Sequence, residues 1–235
     1  MHKLIVANYK MNGSSKFYVN AMKKINKVRC KDTKIILCPP FVYLPNLKIK
    51  NKFVELGVQD ISITDNNKST GQISGNMLNE FKVKYAIIGH SERRSLNETD
   101  EMISNKVKNA IEHDIVPIIC VGEEKKNSKL DSVLEQVKFA LTFAKPEDKI
   151  IFAYEPIWAI GSGETPTVKR INKVVEAIKN EIKEHGINPI CLYGGSVSVC
   201  NYQELNSSNV DGFLIGGTSL NVENFIEIAK GVDND

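Results

Sequence analysis

The stretch Ala153-Tyr154-Glu155-Pro156-Ile157-Trp158-Ala159-Ile160-Gly161-Ser162-Gly163 sets a carboxylate at the end of an apolar run. A buried strand can hold such a group at a fixed height. Pro156 then stops the ladder, because proline has no N–H and a locked φ. The Gly-Ser-Gly sequence beyond it lets the next segment swing. That layout suits a general base under a mobile lid. It equally suits a charged strand end followed by an ordinary loop. Other groups able to do chemistry are Lys10 in Asn8-Tyr9-Lys10-Met11-Asn12 and His90 in Gly89-His90-Ser91-Glu92-Arg93-Arg94. Two glycine turns, Tyr193-Gly194-Gly195-Ser196 and Gly216-Gly217-Thr218-Ser219, suit phosphate, because backbone N–H groups can approach it closely there.

The elements that must carry these groups follow from the hydrophobic pattern. Short apolar runs at Leu4–Asn8, Lys34–Pro39, Phe53–Gln59, Tyr85–Gly89, Ile115–Val121, Ile150–Glu155, Ile190–Tyr193 and Gly212–Ile215 read as eight strands. Most are continuously apolar, as parallel strands buried on both faces require. Helical stripes lie between several of them. One runs through Met102, Ile103, Val107, Ala110 and Ile111, and one through Leu130, Val133, Leu134, Val137, Leu141 and Ala144. A third uses Ile171, Val174, Val175, Ile178 and Ile182, with Thr167 placed to cap it and His185-Gly186 to close it. Asp60–Gly75 is a long polar excursion of the kind that binds something.

Eight βα units predict a (β/α)8 barrel, one domain spanning residues 1–235. The alternative is a doubly wound sheet. That fold opens with a glycine-rich dinucleotide loop, whereas the first strand here runs into Asn8-Tyr9-Lys10-Met11-Asn12-Gly13. In a barrel, function sits at the C-terminal strand ends. Asn8 and Lys10 would follow strand 1, His90 strand 4, Glu155 strand 6, Ser196 strand 7, and Gly216 and Gly217 strand 8. All would converge on one mouth.

Composition narrows the classes. The charge balance is 31 basic against 28 acidic residues, net +3, too even to point to nucleic acid. Five cysteines, an odd number without a Cys-x-x-Cys pair, argue against a disulfide framework or a zinc site. Cys38, Cys120 and Cys191 lie in strand runs and read as small hydrophobes. Met1–Val6 passes straight into a strand pattern, so no signal peptide and no membrane span are expected, and the cytoplasm is the expected compartment.

The segments Asn8–Asn12, Ile88–Arg94, Ala153–Gly163, Tyr193–Val197 and Gly212–Leu220 closely resemble the triosephosphate isomerase family, with Cys120–Glu123 and Thr70–Ser74 fitting as well. The resemblance runs from Ile5 to about Leu220 in the family's order and spacing. It implies interconversion of dihydroxyacetone phosphate and glyceraldehyde 3-phosphate through an enediolate, without metal or organic cofactor. It implies Glu155 as the base, His90 as the electrophile and Lys10 as the cation beside the enediolate and phosphate, roles for which this family is itself the reference case. Asn8 would place a substrate oxygen. Gly161, Ser196, Gly216 and Gly217 would hold the phosphate.

The resemblance also implies a homodimer whose Asp60–Gly75 loop inserts beside the other subunit's Lys10. Glu92 and Arg93 are read as support or interface residues, and His2, His113 and His185 as structural or surface groups. Departures from the family are Tyr9 for tryptophan, Ser162 for threonine and Gln72 for the glutamate that faces the arginine of the histidine motif across the dimer. Pro166 stands where the closed lid offers an N–H to Tyr193. The rival readings are another phosphate-binding barrel isomerase and an inactive sugar-phosphate binder; the full set of Lys10, His90 and Glu155 speaks against both.

Overall fold

The computed structural model describes residues 3–66, 68–126, 128–159 and 164–234. Strands β1 (Leu4–Asn8), β2 (Lys34–Cys38), β3 (Val54–Val58), β4 (Val83–Ile88), β5 (Val116–Val121), β6 (Ile151–Tyr154), β7 (Cys191–Tyr193) and β8 (Gly212–Ile215) pair in parallel in chain order. β1 closes on β8, Leu4 opposite Gly212, so the sheet has no edge and a doubly wound arrangement is excluded. Helices α1 (Ser15–Ile25), α2 (Gly75–Glu80), α3 (Ser91–Arg94), α4 (Asp100–Glu112), α5 (Asp131–Ala140), α6 (Val168–Glu184), α7 (Tyr202–Asn206) and α8 (Val222–Asn234) lie between and after the strands. The fold is the expected (β/α)8 barrel.

The continuous apolar character of the strands has a direct cause. Val6, Ile36, Cys38, Ile87, Ile118 and Leu214 fill the barrel interior, while their neighbours Ile5, Ala7, Leu37, Ile88, Ile119 and Ile215 pack outward beneath the helices. Successive side chains of a strand face opposite ways, and here both faces are dry. The helical stripes supply the outer layer. Thr167 Oγ1 accepts from the Arg170 N–H at 3.3 Å, Thr99 Oγ1 from Met102 at 3.2 Å, and Gly186 takes φ +77 after the last turn of α6.

Two local expectations are modified. No α-helix follows β2: Phe41–Asn46 forms a 3-10 turn. Pro39 and Pro40 precede it and Pro45 lies inside it, so a regular i to i−4 ladder cannot form. The stripe on α5 outlasts the helix, which ends at Ala140 although Leu141 is still buried and Ala144 half-buried. Pro146 lies just beyond, and Thr142 Oγ1 donates to the Phe139 carbonyl at 2.7 Å, so the chain leaves through turns. The polar excursion after β3 is real. It closes through Ser62 N–H to Ile73 O at 3.0 Å before α2 begins. Among the described residues no helix is long and apolar enough to cross a membrane.

Candidate active site

The strand-1 end is built around an unusual turn. Asn8 is buried, and its Oδ1 accepts the Lys10 N–H at 3.1 Å. Lys10 adopts φ +50, a left-handed conformation that side chains other than glycine enter at a cost. Gln59, just past β3, holds it there: Nε2 donates to Lys10 O and to Cys38 O, both at 2.9 Å. The Lys10 ammonium then lies across the mouth, 2.6 Å from Glu92 Oε1. A Cβ on Gly216 would stand 3.3 Å from Lys10 Cε, so the β8 turn passes close beneath the lysine.

At the end of β4 the chain turns at Gly89, φ +70, where a Cβ would meet Ile103 Cδ1 at 2.9 Å. His90 caps the short α3. Its Nδ1 accepts the Glu92 N–H at 3.2 Å, which assigns that nitrogen as the unprotonated one and puts the ring proton on Nε2. Nε2 faces Glu155 Oε1 at 3.2 Å. Arg94 fastens the turn from below, donating to Gly89 O at 2.9 Å and pairing with Asp100 at 2.6 Å.

Glu155 follows β6 and is 2 % exposed. Its N–H donates to Val121 O at 2.8 Å, and its Oε2 accepts the Ser91 N–H at 3.1 Å. Oε1 has no aligned hydrogen-bond donor among the described residues and is the face of the carboxylate left for chemistry. Gly194 is required opposite, since a Cβ there would fall 2.9 Å from Glu155 Cγ.

The β7 and β8 turns complete the mouth. Ser196 Oγ donates to Ala159 O at 3.1 Å. Asn201 braces this turn, with Nδ2 to Ser196 O at 3.0 Å and Oδ1 accepting from Ser198 N at 2.8 Å. Thr218 Oγ1 reaches back to Val197 O at 2.6 Å, tying the two turns together. Gly217 has open space where a Cβ would be.

Asn8, Lys10, His90, Glu155, Ser196, Gly216 and Gly217 thus line one cavity of about 530 Å³ at the C-terminal mouth, as the strand-end rule expects. Gly161, with the rest of Ile160–Gly163, lies outside the described residues. Arg93, expected at an interface, pairs within its own chain with Asp60 at 2.7 Å and stands 3.5 Å from Glu98. Gln59 and Asn201 were not singled out by the sequence reading. Gln59 was findable, because it closes the third strand and the strand-end rule applies to it as to the others.

Abstracting a proton beside a carbonyl requires a base, a donor to the carbonyl oxygen and a positive charge near the developing oxyanion. This mouth offers one group of each type beside two turns fit for phosphate, so fold and site define a barrel enzyme of the acid–base class. The family model for triosephosphate isomerase matches residues 3–232, and the chain belongs to that family. Relatives named triosephosphate isomerase include those of Hahella chejuensis, 38% identical over 241 residues and 97% of each chain, and Thermoanaerobacter pseudethanolicus, 39% identical over 243 residues, 97% of this chain and 98% of the relative. The Clostridium botulinum (strain Langeland) protein of the same name is 38% identical over 242 residues, 96% of this chain and 97% of the relative.

Proposed function

We propose that this barrel interconverts dihydroxyacetone phosphate and D-glyceraldehyde 3-phosphate, with Glu155 as the base that moves the proton between the two carbons. Glu155 takes a proton from the carbon next to the carbonyl, the electron pair passes to the carbonyl oxygen, and the same carboxyl returns the proton to the neighbouring carbon. His90 donates from Nε2 to the oxygen that gains charge and carries protons between the two oxygens. Lys10 stabilises the enediolate and phosphate by charge. Asn8 places a substrate oxygen, and Gly161, Ser196, Gly216 and Gly217 take the phosphate. The observation that carries this reading is the approach of Glu155 Oε1 to His90 Nε2, 3.2 Å apart, inside the cavity that Lys10 enters.

The same reading extends to assembly. Residues 1–235 work as one barrel domain, and two copies pair through the loops after the first four strands. Met11, Val42, Ile63 and Leu96 support this pairing: each is an exposed apolar side chain on one of those loops, and such a set on one face of a barrel marks an association surface. Five free thiols fit a reducing compartment, the cytoplasm.

A coupled assay with glyceraldehyde 3-phosphate tests the reaction, and Glu155→Asp tests the base. Retracting the carboxylate by one methylene is expected to cost about 100-fold in kcat with little change in KM. No turnover by the wild-type chain would leave an inactive sugar-phosphate binder, and near-wild-type turnover by Glu155→Asp would remove Glu155 from its role. A wild-type monomer at micromolar concentration would contradict the dimer.

A further inference from the structure

Gly122 lies one residue past the end of β5, between the two carbonyls that hold the Glu155 segment. Val121 O accepts from Glu155 N at 2.8 Å and Glu123 O from Ile157 N at 3.0 Å. A Cβ on Gly122 would fall 1.7 Å from the Glu155 carbonyl oxygen, so the backbone at position 122 is in direct contact with the peptide of Glu155. Peptide groups of a strand alternate in direction. Those of Val121 and Glu123 face β6, and that of Gly122 faces the opposite side, where β4 has already ended at Ile88. Its N–H and C=O are buried and have no strand left to pair with.

Gln136 on α5 takes the place of that strand. Its Oε1 accepts the Gly122 N–H at 3.0 Å, and its Nε2 donates to the Gly122 carbonyl at 3.1 Å. One amide side chain thus closes both bonds of a single peptide pair. Two residues earlier Arg94 covers the Cys120 carbonyl alone, donating to it at 3.3 Å. The edge of β5 is therefore completed by side chains at the height where Glu155 leaves β6.

We propose that Gln136 is a positioning residue for Glu155. By fixing Gly122 at both its N–H and its C=O, it fixes the strip of backbone against which the Glu155 peptide rests, and so the height of the carboxylate. This rests on the reading of Glu155 as the base. Proton transfer depends steeply on distance, so a small slackening of this strip reaches kcat. Substrate binding is carried by Lys10, Ser196, Gly216 and Gly217, none of which Gln136 touches, so KM is spared.

The test is steady-state kinetics of the full chain carrying Gln136→Met, which keeps the side-chain length and removes both bonds, and Gln136→Glu, which keeps the acceptor and removes the donor. Gln136→Met is expected to lower kcat about tenfold with KM within about twofold, and Gln136→Glu to fall between it and wild type. Introduced into Glu155→Asp, whose carboxylate is already displaced, Gln136→Met is expected to cost less than about threefold, because two changes acting on one distance are not additive. A kcat within twofold of wild type, an equal loss in both backgrounds, or a KM that rises as much as kcat falls would each overturn the proposal. Should Gln136→Met fail to fold by circular dichroism, Gln136→Glu carries the test alone, and an unchanged kcat there is fatal. A loss in Glu155→Asp without one in Gln136→Met sinks only the role of Gln136, whereas an unaffected Glu155→Asp sinks the reading of the base.

Discussion

Gln59 holds Lys10 in its left-handed turn: the amide Nε2 reaches the Lys10 carbonyl and the Cys38 carbonyl at 2.9 Å each. Lysine at φ +50 has a local preference against this conformation, and a backbone strained in this way persists only when its surroundings over-determine it. Asn8 supplies the second restraint through the Lys10 N–H. Gln59→Leu removes the first while keeping the side-chain bulk. The expected result is a loss of about tenfold in kcat/KM as the ammonium leaves its place, with stability down by about 1–3 kcal/mol for the Lys10 carbonyl left without a donor, the Cys38 carbonyl keeping the Tyr9 N–H. Kinetics and a urea titration measure the two effects separately. An unchanged kcat/KM would mean that the Glu92 carboxylate alone, 2.6 Å from Lys10 Nζ, is enough to place the charge.

Tyr193 is buried at the top of β7, and its Oη has no hydrogen-bond partner among the described residues. Burial holds its phenol well above the ordinary value of 10.0. Pro166 has no N–H to offer it. Tyr193→Phe is therefore expected to leave kcat and methylglyoxal release, which reports escape of the enediolate, within about twofold of wild type, since no bond worth about 1 kcal/mol is lost. Ser196→Ala is expected to raise KM and lower kcat, because Ser196 Oγ reaches Ala159 O and lines the cavity. A surge of methylglyoxal in Tyr193→Phe would show that the hydroxyl gains a partner when the lid closes.

Gln72 was expected to deprive Arg93 of an ion pair across the dimer. Arg93 already has Asp60 at 2.7 Å in its own chain, and Asp60 in turn meets Lys106 at 2.6 Å, with Glu98 completing the group. A glutamate at position 72 would compete for a guanidinium that is already paired and 44% exposed. Gln72→Glu is thus expected to change dimer affinity by less than about 1 kcal/mol. Sedimentation equilibrium at low and high salt checks it, and a shift larger than tenfold in dimer affinity would mean that Arg93 abandons Asp60 on assembly.

The legibility of this chain divides along physical lines. Strand positions were readable to within two residues, because burial on both faces leaves an apolar run with no alternation to misread. His90, Lys10 and Glu155 were readable because each ends such a run. Asn201 and Gln136 were not, since an amide that braces a backbone group has no period and no neighbour in sequence: Gln136 meets Gly122 from another element, 14 positions away. The absence of an α-helix after β2 is written in Pro39, Pro40 and Pro45, which bar a regular ladder there.

The thiols give the last test, and its sign follows from burial. Cys30, Cys38, Cys120 and Cys191 are buried and Cys200 is exposed. Burial pushes the Cys30 thiol up to about 11, with Asp233 adding to the rise, and the Cys191 thiol up to about 12; it holds Cys38 higher still and Cys120 well above the ordinary thiol value. A thiol that stays protonated is a poor nucleophile, so one fast thiol, that of Cys200, is expected in a native titration with an aromatic disulfide at pH 8, and five after denaturation. The same shifts set the alkaline limit. Below the ordinary thiol value of 9.0 both folded and unfolded chains keep these protons, and the stabilisation is fully present. Above it the unfolded chain sheds them while the folded chain does not, so stability falls by about 1.4 kcal/mol per pH unit for each such group until the folded value is reached. The unfolding midpoint in urea is therefore expected to drop steeply from pH 9 upward, more steeply than in a Cys30→Ala, Cys191→Ala variant. Equal slopes in the two proteins would show that the buried thiols ionise together with the rest of the chain rather than being held back by the core.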